Sequence, residues 1–194
     1  AGRDLDIMFP LVATVDEFRA ARELVQKECD RLTKFGLPEP RSLKIGTMLE
    51  VPALLWQLDE LLSEVDFLSI GTNDLMQFLF ASDRGNPRVG NRYEFLSLPV
   101  MHMLQHVRLK ASAYGVPVSI CGEMVGHSLE AMTVMALGFQ ELSIPASAIG
   151  PVKRMVRSVN QARLSEAVKR LLLEPGVDLR RGLEAIAEGQ GIKL

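Results

Sequence analysis

The sequence predicts an α/β fold, a parallel sheet covered by helices. Two observations carry this. Five short apolar runs alternate with segments of 3.6-residue hydrophobic period, and each run stops at a Gly, Pro or polar residue suited to leaving a sheet.

Residues 5–9 read as the first strand, closed by Pro10. Thr14-Val-Asp-Glu17 has the form of a capping box, with Thr14 as N-cap and Glu17 reaching back. Phe18, Ala21, Leu24, Val25 and Leu32 then mark one face of a helix that Gly36 ends. Residues 43–49 form a second strand ending at Glu50, and Pro52 opens a helix over 53–62. Residues 67–70 are the third strand, followed by a Gly71-Thr-Asn-Asp74 turn and a helix over 75–81. Residues 82–97 lack periodicity and carry Gly85, Asn86, Pro87, Gly90 and Asn91. Loops of this length are often functional. Pro99 starts a helix reaching 114–115, residues 117–121 form a fourth strand, and Ser128 caps a helix over 129–137. After a short strand at 141–144, residues 151–159, 161–173 and 179–188 are helical. The chain thus divides into strand–helix units over 1–150 and a helical tail over 151–194.

Composition narrows the function classes. With 194 residues, 47% of them apolar, the chain can bury one sizeable core, so a single domain is expected. A net charge of −2 without a basic stripe argues against nucleic acid as a partner. The apolar runs are far shorter than the ~20 residues a membrane helix needs, and no secretory signal opens the chain. Cys29 and Cys121 make no disulfide framework, which fits a reducing, cytoplasmic setting. His102, His106 and His127 form no zinc motif with them. Ala1-Gly-Arg-Asp4 runs almost at once into the first strand, as expected of a piece cut from a longer protein.

Two architectures suit the alternation, the open doubly wound sheet and the (β/α)8 barrel. The Gly-x-Gly-x-x-Gly fingerprint after the first strand is absent, which removes the best-marked open sheet. A complete barrel takes ~250 residues. What remains is an open α/β sheet, or a barrel portion whose first strands lie upstream of Ala1.

In either fold the strand C-termini share one face, where active sites lie. There the sequence puts Pro10, Glu50, the Gly71–Asp74 segment, Cys121-Gly-Glu123 and the 143–147 segment. A strand that gives way to a helix at Gly71-Thr72-Asn73-Asp74 offers free N–H groups and helix-dipole charge to an anion, although such a segment also serves as a plain turn. Glu50 and Asp74 come from neighbouring strands, and paired carboxylates with waters and substrate oxygens are how Mg²⁺ is held. Arg84 is either a bidentate anion clamp or a surface partner of Asp83, and Cys121 is by default a small buried hydrophobe.

Met8-Phe-Pro10, Gly46-Thr-Met-Leu-Glu-Val-Pro52, Ser69-Ile-Gly-Thr-Asn-Asp-Leu75, Asp83-Arg-Gly-Asn86 and Cys121-Gly-Glu123 occur in this order along the chain. That series resembles Enzyme I of the bacterial phosphotransferase system, the phosphoenolpyruvate–protein phosphotransferase family, over its C-terminal phosphoenolpyruvate-binding domain. Pyruvate phosphate dikinase and phosphoenolpyruvate synthase share the Gly-Thr/Ser-Asn-Asp and Cys-Gly elements, whereas Asp-Arg-Gly-Asn favours Enzyme I. The stretch at 52–61 is more similar to the nitrogen-related branch than to the sugar branch.

The resemblance implies a TIM barrel, of which this chain would hold the C-terminal part, about five of eight strands, plus the helical tail. It implies phosphoenolpyruvate and Mg²⁺ at the strand C-termini, with Glu50 and Asp74 as Mg²⁺ ligands. Gly71, Thr72, Asn73 and Asp74 would hold the substrate, Arg84 would contact the transferring phosphate, and Cys121 would protonate enolpyruvate to pyruvate. A thiol in an electropositive pocket suits that last role. The partners implied are a phosphocarrier protein, met through the full-length enzyme, and a second copy in a homodimer. The early-strand arginines and the phosphoryl-accepting histidine would lie before Ala1, so the chain alone is expected to be inactive and to cover its open strand edge by self-association. Two other readings stand beside this one: a dikinase-type or synthase-type enzyme with another acceptor, and a catalytically idle dimerisation or regulatory module.

Overall fold

The computed structural model describes residues 3–90 and 92–194. Ala1, Gly2 and Asn91, the last counted above in the long loop, lie outside the described residues. Five strands form one sheet: β1 (Asp4–Phe9), β2 (Ser42–Leu49), β3 (Leu68–Gly71), β4 (Val118–Cys121) and β5 (Glu141–Ser143). They lie side by side in sequence order, and every neighbouring pair is parallel. A doubly wound sheet reverses its strand order at a switch point, whereas strands around a barrel follow one another. The order is therefore compatible with a barrel segment. Among the described residues the five strands do not close, and a complete eight-stranded barrel is not shown.

Register separates the two faces. In a parallel pair, residues opposite one another share a face and alternate residues change face. Ile7, Ile45, Leu49, Leu68, Ile70, Ile120 and Leu142 share one side, and from Leu49 to Ile120 these side chains are fully buried. The other side carries Asp6, Met8, Lys44, Met48, Ser69, Ser119, Cys121 and Glu141. One face is core; the other is a polar surface that leads up to the strand C-termini.

The helices are α1 (Val15–Lys34), α2 (Leu58–Leu62), α3 (Thr72–Leu79), α4 (Leu98–Tyr114), α5 (Ser128–Ala136), α6 (Ile149–Val156), α7 (Gln161–Leu171) and α8 (Leu179–Gly189). None is long and apolar enough to cross a membrane. The capping box forms as expected: the Glu17 amide donates to Thr14 Oγ1 at 3.2 Å while Glu17 Oε2 accepts from the Thr14 amide.

Several boundaries shift by one to three residues from the sequence reading, and four differences are informative. The 53–62 helix is a 3-10 turn over Pro52–Gln57 followed by the short α2, and the break falls where Gln57 turns its amide to the backbone of Ala13 and Val15. No turn separates β3 from α3, because Gly71 ends the strand and caps the helix directly. Ser128 is the first residue of α5, not its cap. Helix α6 begins at Ile149, ahead of Pro151, whose missing N–H is harmless in a first turn.

The helical tail is built into the core. Leu164, Val168, Leu179, Leu183 and Ala187 are buried, and α5 packs on α6, α7 and α8. Arg180 of α8 donates to Glu130 of α5 at 2.9 Å and approaches Glu94 at 3.7 Å. The Glu130 side chain is only 3% exposed, so loss of its partner would strand a buried carboxylate. Arg180→Ala should therefore lower unfolding stability by about 2 kcal/mol, below the usual cost of breaking a buried pair because Arg180 keeps solvent contact. Urea denaturation checks this. A change of a few tenths of a kcal/mol would mean that water already serves Glu130.

Candidate functional site

The C-terminal ends of β2, β3 and β4 bring together most of the residues singled out by sequence. Glu50 directly follows β2 and is buried at 3% exposure. Its Oε1 accepts the Leu11 amide at 2.8 Å, holding the loop after β1 where Leu11 sits at φ 55°. Its Oε2 lies against the end of β3, where a Cβ on Gly71 would come within 2.5 Å of it. Only glycine leaves Glu50 this approach.

Helix α3 begins at once from Gly71, without a capping side chain. Thr72, Asn73 and Asp74 thus fill its first turn, where N–H groups have no partner inside the helix and the dipole favours an anion. Thr72 is buried, and its hydroxyl donates to the Cys121 carbonyl at 2.9 Å, tying the ends of β3 and β4. Asn73 and Asp74 remain half-exposed beside it.

Arg84 sits in the long loop after α3. Its amide donates to Gln77 Oε1 at 3.2 Å and its guanidinium reaches Asp74 Oδ1 at 3.6 Å. The surface pair with Asp83 does not form, since Asp83 Oδ1 accepts the Gly85 amide at 2.8 Å in a local turn. Arg84 thereby faces the first turn of α3.

Cys121 ends β4 opposite Gly71 and is half-buried. Burial pushes its thiol above the usual cysteine range; a hydrogen bond from Ser69 opposes this, and the carboxylates of Glu50 and Asp74 add to it. The electropositive pocket expected around this thiol is thus not what the protein's own groups make. They keep the thiol protonated, the form in which it can act as an acid.

Two carboxylate side chains, Glu50 and Asp74, therefore act on the same thiol from neighbouring strand ends. Among the described residues no group of three or more His, Cys, Asp and Glu could hold a metal by itself. A pair of hard oxygen donors suits a cation that completes its shell with water and substrate oxygens, as Mg²⁺ does. His102 points instead at the Leu172 carbonyl, 3.4 Å away. Sequence reading names Ser69 and Gly122 only inside motifs, without a role, and passes over Ser119. Ser69 and Ser119 stand at i−2 from Gly71 and from Cys121, so strand alternation alone would have placed them on the site's face.

The family model described as PEP-utilising enzyme, PEP-binding domain, where PEP is phosphoenolpyruvate, matches residues 1–161. The chain belongs to this family. Curated relatives include the phosphoenolpyruvate-protein phosphotransferase of Bacillus sp. (strain S), 37% identical over 168 residues, 85% of this chain and 29% of the relative. The protein of the same name from Lactococcus lactis subsp. cremoris is 34% identical over 170 residues, 88% of this chain and 30% of the relative. A protein of Escherichia coli (strain K12) named phosphoenolpyruvate-dependent phosphotransferase system is 32% identical over 193 residues, 97% of this chain and 25% of the relative. The PEP-binding domain described here thus spans a quarter to three tenths of the length of these relatives.

Proposed function

We propose that the chain is the phosphoenolpyruvate-binding and Mg²⁺-binding part of an Enzyme I-type phosphotransferase, which moves the phosphoryl group to a histidine on a separate domain and releases pyruvate. The observation that carries this is the convergence of Glu50, Asp74 and Cys121 at adjacent strand ends, with the open first turn of α3 between them. Phosphoryl transfer needs positioning and charge neutralisation more than covalent work by the scaffold, and these groups supply both.

In this reading Glu50 and Asp74 hold Mg²⁺, which when bound neutralises charge on the transferring group. The first-turn amides of α3, with Asn73, orient the substrate's phosphate and carboxylate. Arg84, 55% exposed on a loop and only loosely paired with Asp74, swings onto the phosphate when substrate arrives. Cys121 then gives its proton to the methylene carbon of enolpyruvate. A phosphocarrier protein is the downstream partner through the full-length enzyme. A homodimer is supported by an apolar cleft of about 490 Å³ between Leu55, Leu79, Phe80, Pro99 and Met103, beside a Trp56 that is 91% exposed.

Titration calorimetry on the full-length protein tests the site. Phosphoenolpyruvate should bind in the presence of Mg²⁺ and lose at least ~10-fold in affinity when Mg²⁺ is chelated, given the several kcal/mol a metal contributes to binding such charge. Binding that ignores chelation would sink the metal assignment.

A further inference from the structure

Protonation of enolpyruvate leaves Cys121 as a thiolate, which must regain a proton before the next turnover. We propose that Ser69 and Ser119 form a hydroxyl relay that returns this proton along the same face of the sheet, from further down the strands than the C-terminal end where the substrate enters. The proposal rests on the reading of Cys121 as the acid.

Three contacts line up on one face. Ser119 Oγ donates to Ser69 Oγ at 3.0 Å, Ser69 Oγ donates to Cys121 Sγ at 3.7 Å, and the thiol donates to the Ile70 carbonyl at 3.4 Å. Register makes this inevitable once the residue types are chosen. Ser69 is the partner of Ser119 and Gly71 the partner of Cys121, so the two hydroxyls and the thiol project to the same side, one pleat apart. The absent side chain at Gly71 leaves the thiol's neighbour on β3 to be Ser69.

The relay has a buried middle and continues along the sheet face into a polar cleft. Ser69 is 5% exposed, so the thiol's inner side meets a hydroxyl and not bulk water. Ser119 is half-exposed and lines a polar cleft of about 340 Å³ with Asp6, Lys44, Asp66 and Glu141. Glu141 is its register partner on β5. A substrate lying over the strand C-termini covers the outer side of Cys121, and the serines then offer the remaining route.

The proton count closes. The Cys121 S–H bond breaks as a C–H bond forms on enolpyruvate, giving pyruvate and thiolate. The thiolate takes the Ser69 proton, Ser69 takes that of Ser119, and Ser119 takes one from a hydronium or buffer acid in the cleft. No electrons change hands.

The test is to compare first-turnover and steady-state pyruvate formation in the full-length enzyme with Mg²⁺, phosphoenolpyruvate and its phosphocarrier protein. Ser69→Ala begins with a protonated thiol, so its first turnover should stay within about two-fold of wild type. Its steady state should fall about ten-fold or more, the scale of a lost proton-transfer partner, with a burst of one pyruvate per site. Ser119→Ala should behave likewise, and Ser69→Thr, which keeps the hydroxyl, should restore the steady state. An equal fall in both phases would assign the serines to packing, and no fall in either would mean that water reprotonates the thiol directly; each result overturns the relay. Cys121→Ala separates the two readings. If it still makes pyruvate at the wild-type rate in the first turnover, Cys121 is not the acid and the relay falls with it.

Discussion

Glu50→Gln in the full-length enzyme should lower turnover about 10²–10³-fold while leaving the fold nearly intact, because one preorganised charged group is worth roughly 3–4 kcal/mol to such a transition state. The substitution separates two jobs of one side chain. Oε1 anchors the Leu11 amide, and glutamine's carbonyl can still accept that bond. Oε2, turned toward Gly71 and α3, is the charge that glutamine lacks. Glu50→Ala removes both. It should show the same loss of activity and a further ~1–3 kcal/mol of destabilisation from a part-buried amide left without its partner. Steady-state kinetics and thermal unfolding of the two variants check the separation. If Glu50→Gln keeps near-wild-type turnover, Glu50 is an anchor for the loop after β1 and not a metal ligand.

Much of this site could be read from the chain, and the reason is local. In a parallel sheet each strand's C-terminus is marked in sequence by the change from apolar to polar residues, so the sequence by itself assigns Glu50, Asp74 and Cys121 to one face. The capping box at Thr14–Glu17 was equally legible, since both halves of the motif lie within one turn. What sequence could not supply was the pairing between distant segments. Nothing near Glu50 shows that its inner oxygen holds Leu11, 39 residues away. The tail shows the same limit: its amphipathic period announced helices but not that Arg180 reaches Glu130, 50 positions earlier. The electrostatic surroundings of Cys121 are hidden from the sequence for a related reason. Burial first, and then the carboxylates of Glu50 and Asp74 on two other segments, push the thiol up, and neither is visible beside Cys121 in the sequence.

Gly122 is the second position where a single change should have a large effect. It follows Cys121 at φ +133°, a conformation that L-residues rarely adopt. A Cβ there would sit 2.1 Å from Thr72 Oγ1, the hydroxyl that joins the ends of β3 and β4, and 3.2 Å from Asn73 Oδ1. Gly122→Ala thus combines backbone strain of ~1–3 kcal/mol with overpacking of similar size, for about 3–5 kcal/mol in all. Gly115→Ala is the control. Gly115 also has positive φ, at 69°, but nothing lies within 4 Å of its added carbon, so only about 1 kcal/mol is expected. The double change Gly122→Ala with Thr72→Ala should recover the steric share and not the backbone share, which a double-mutant cycle of urea midpoints would read as a favourable coupling of about 1–3 kcal/mol. Equal costs at Gly122 and Gly115 would mean that the chain after β4 relaxes freely. The backbone at Gly122 would then not fix the thiol of Cys121 against the first turn of α3, and the close approach of the two would need another cause.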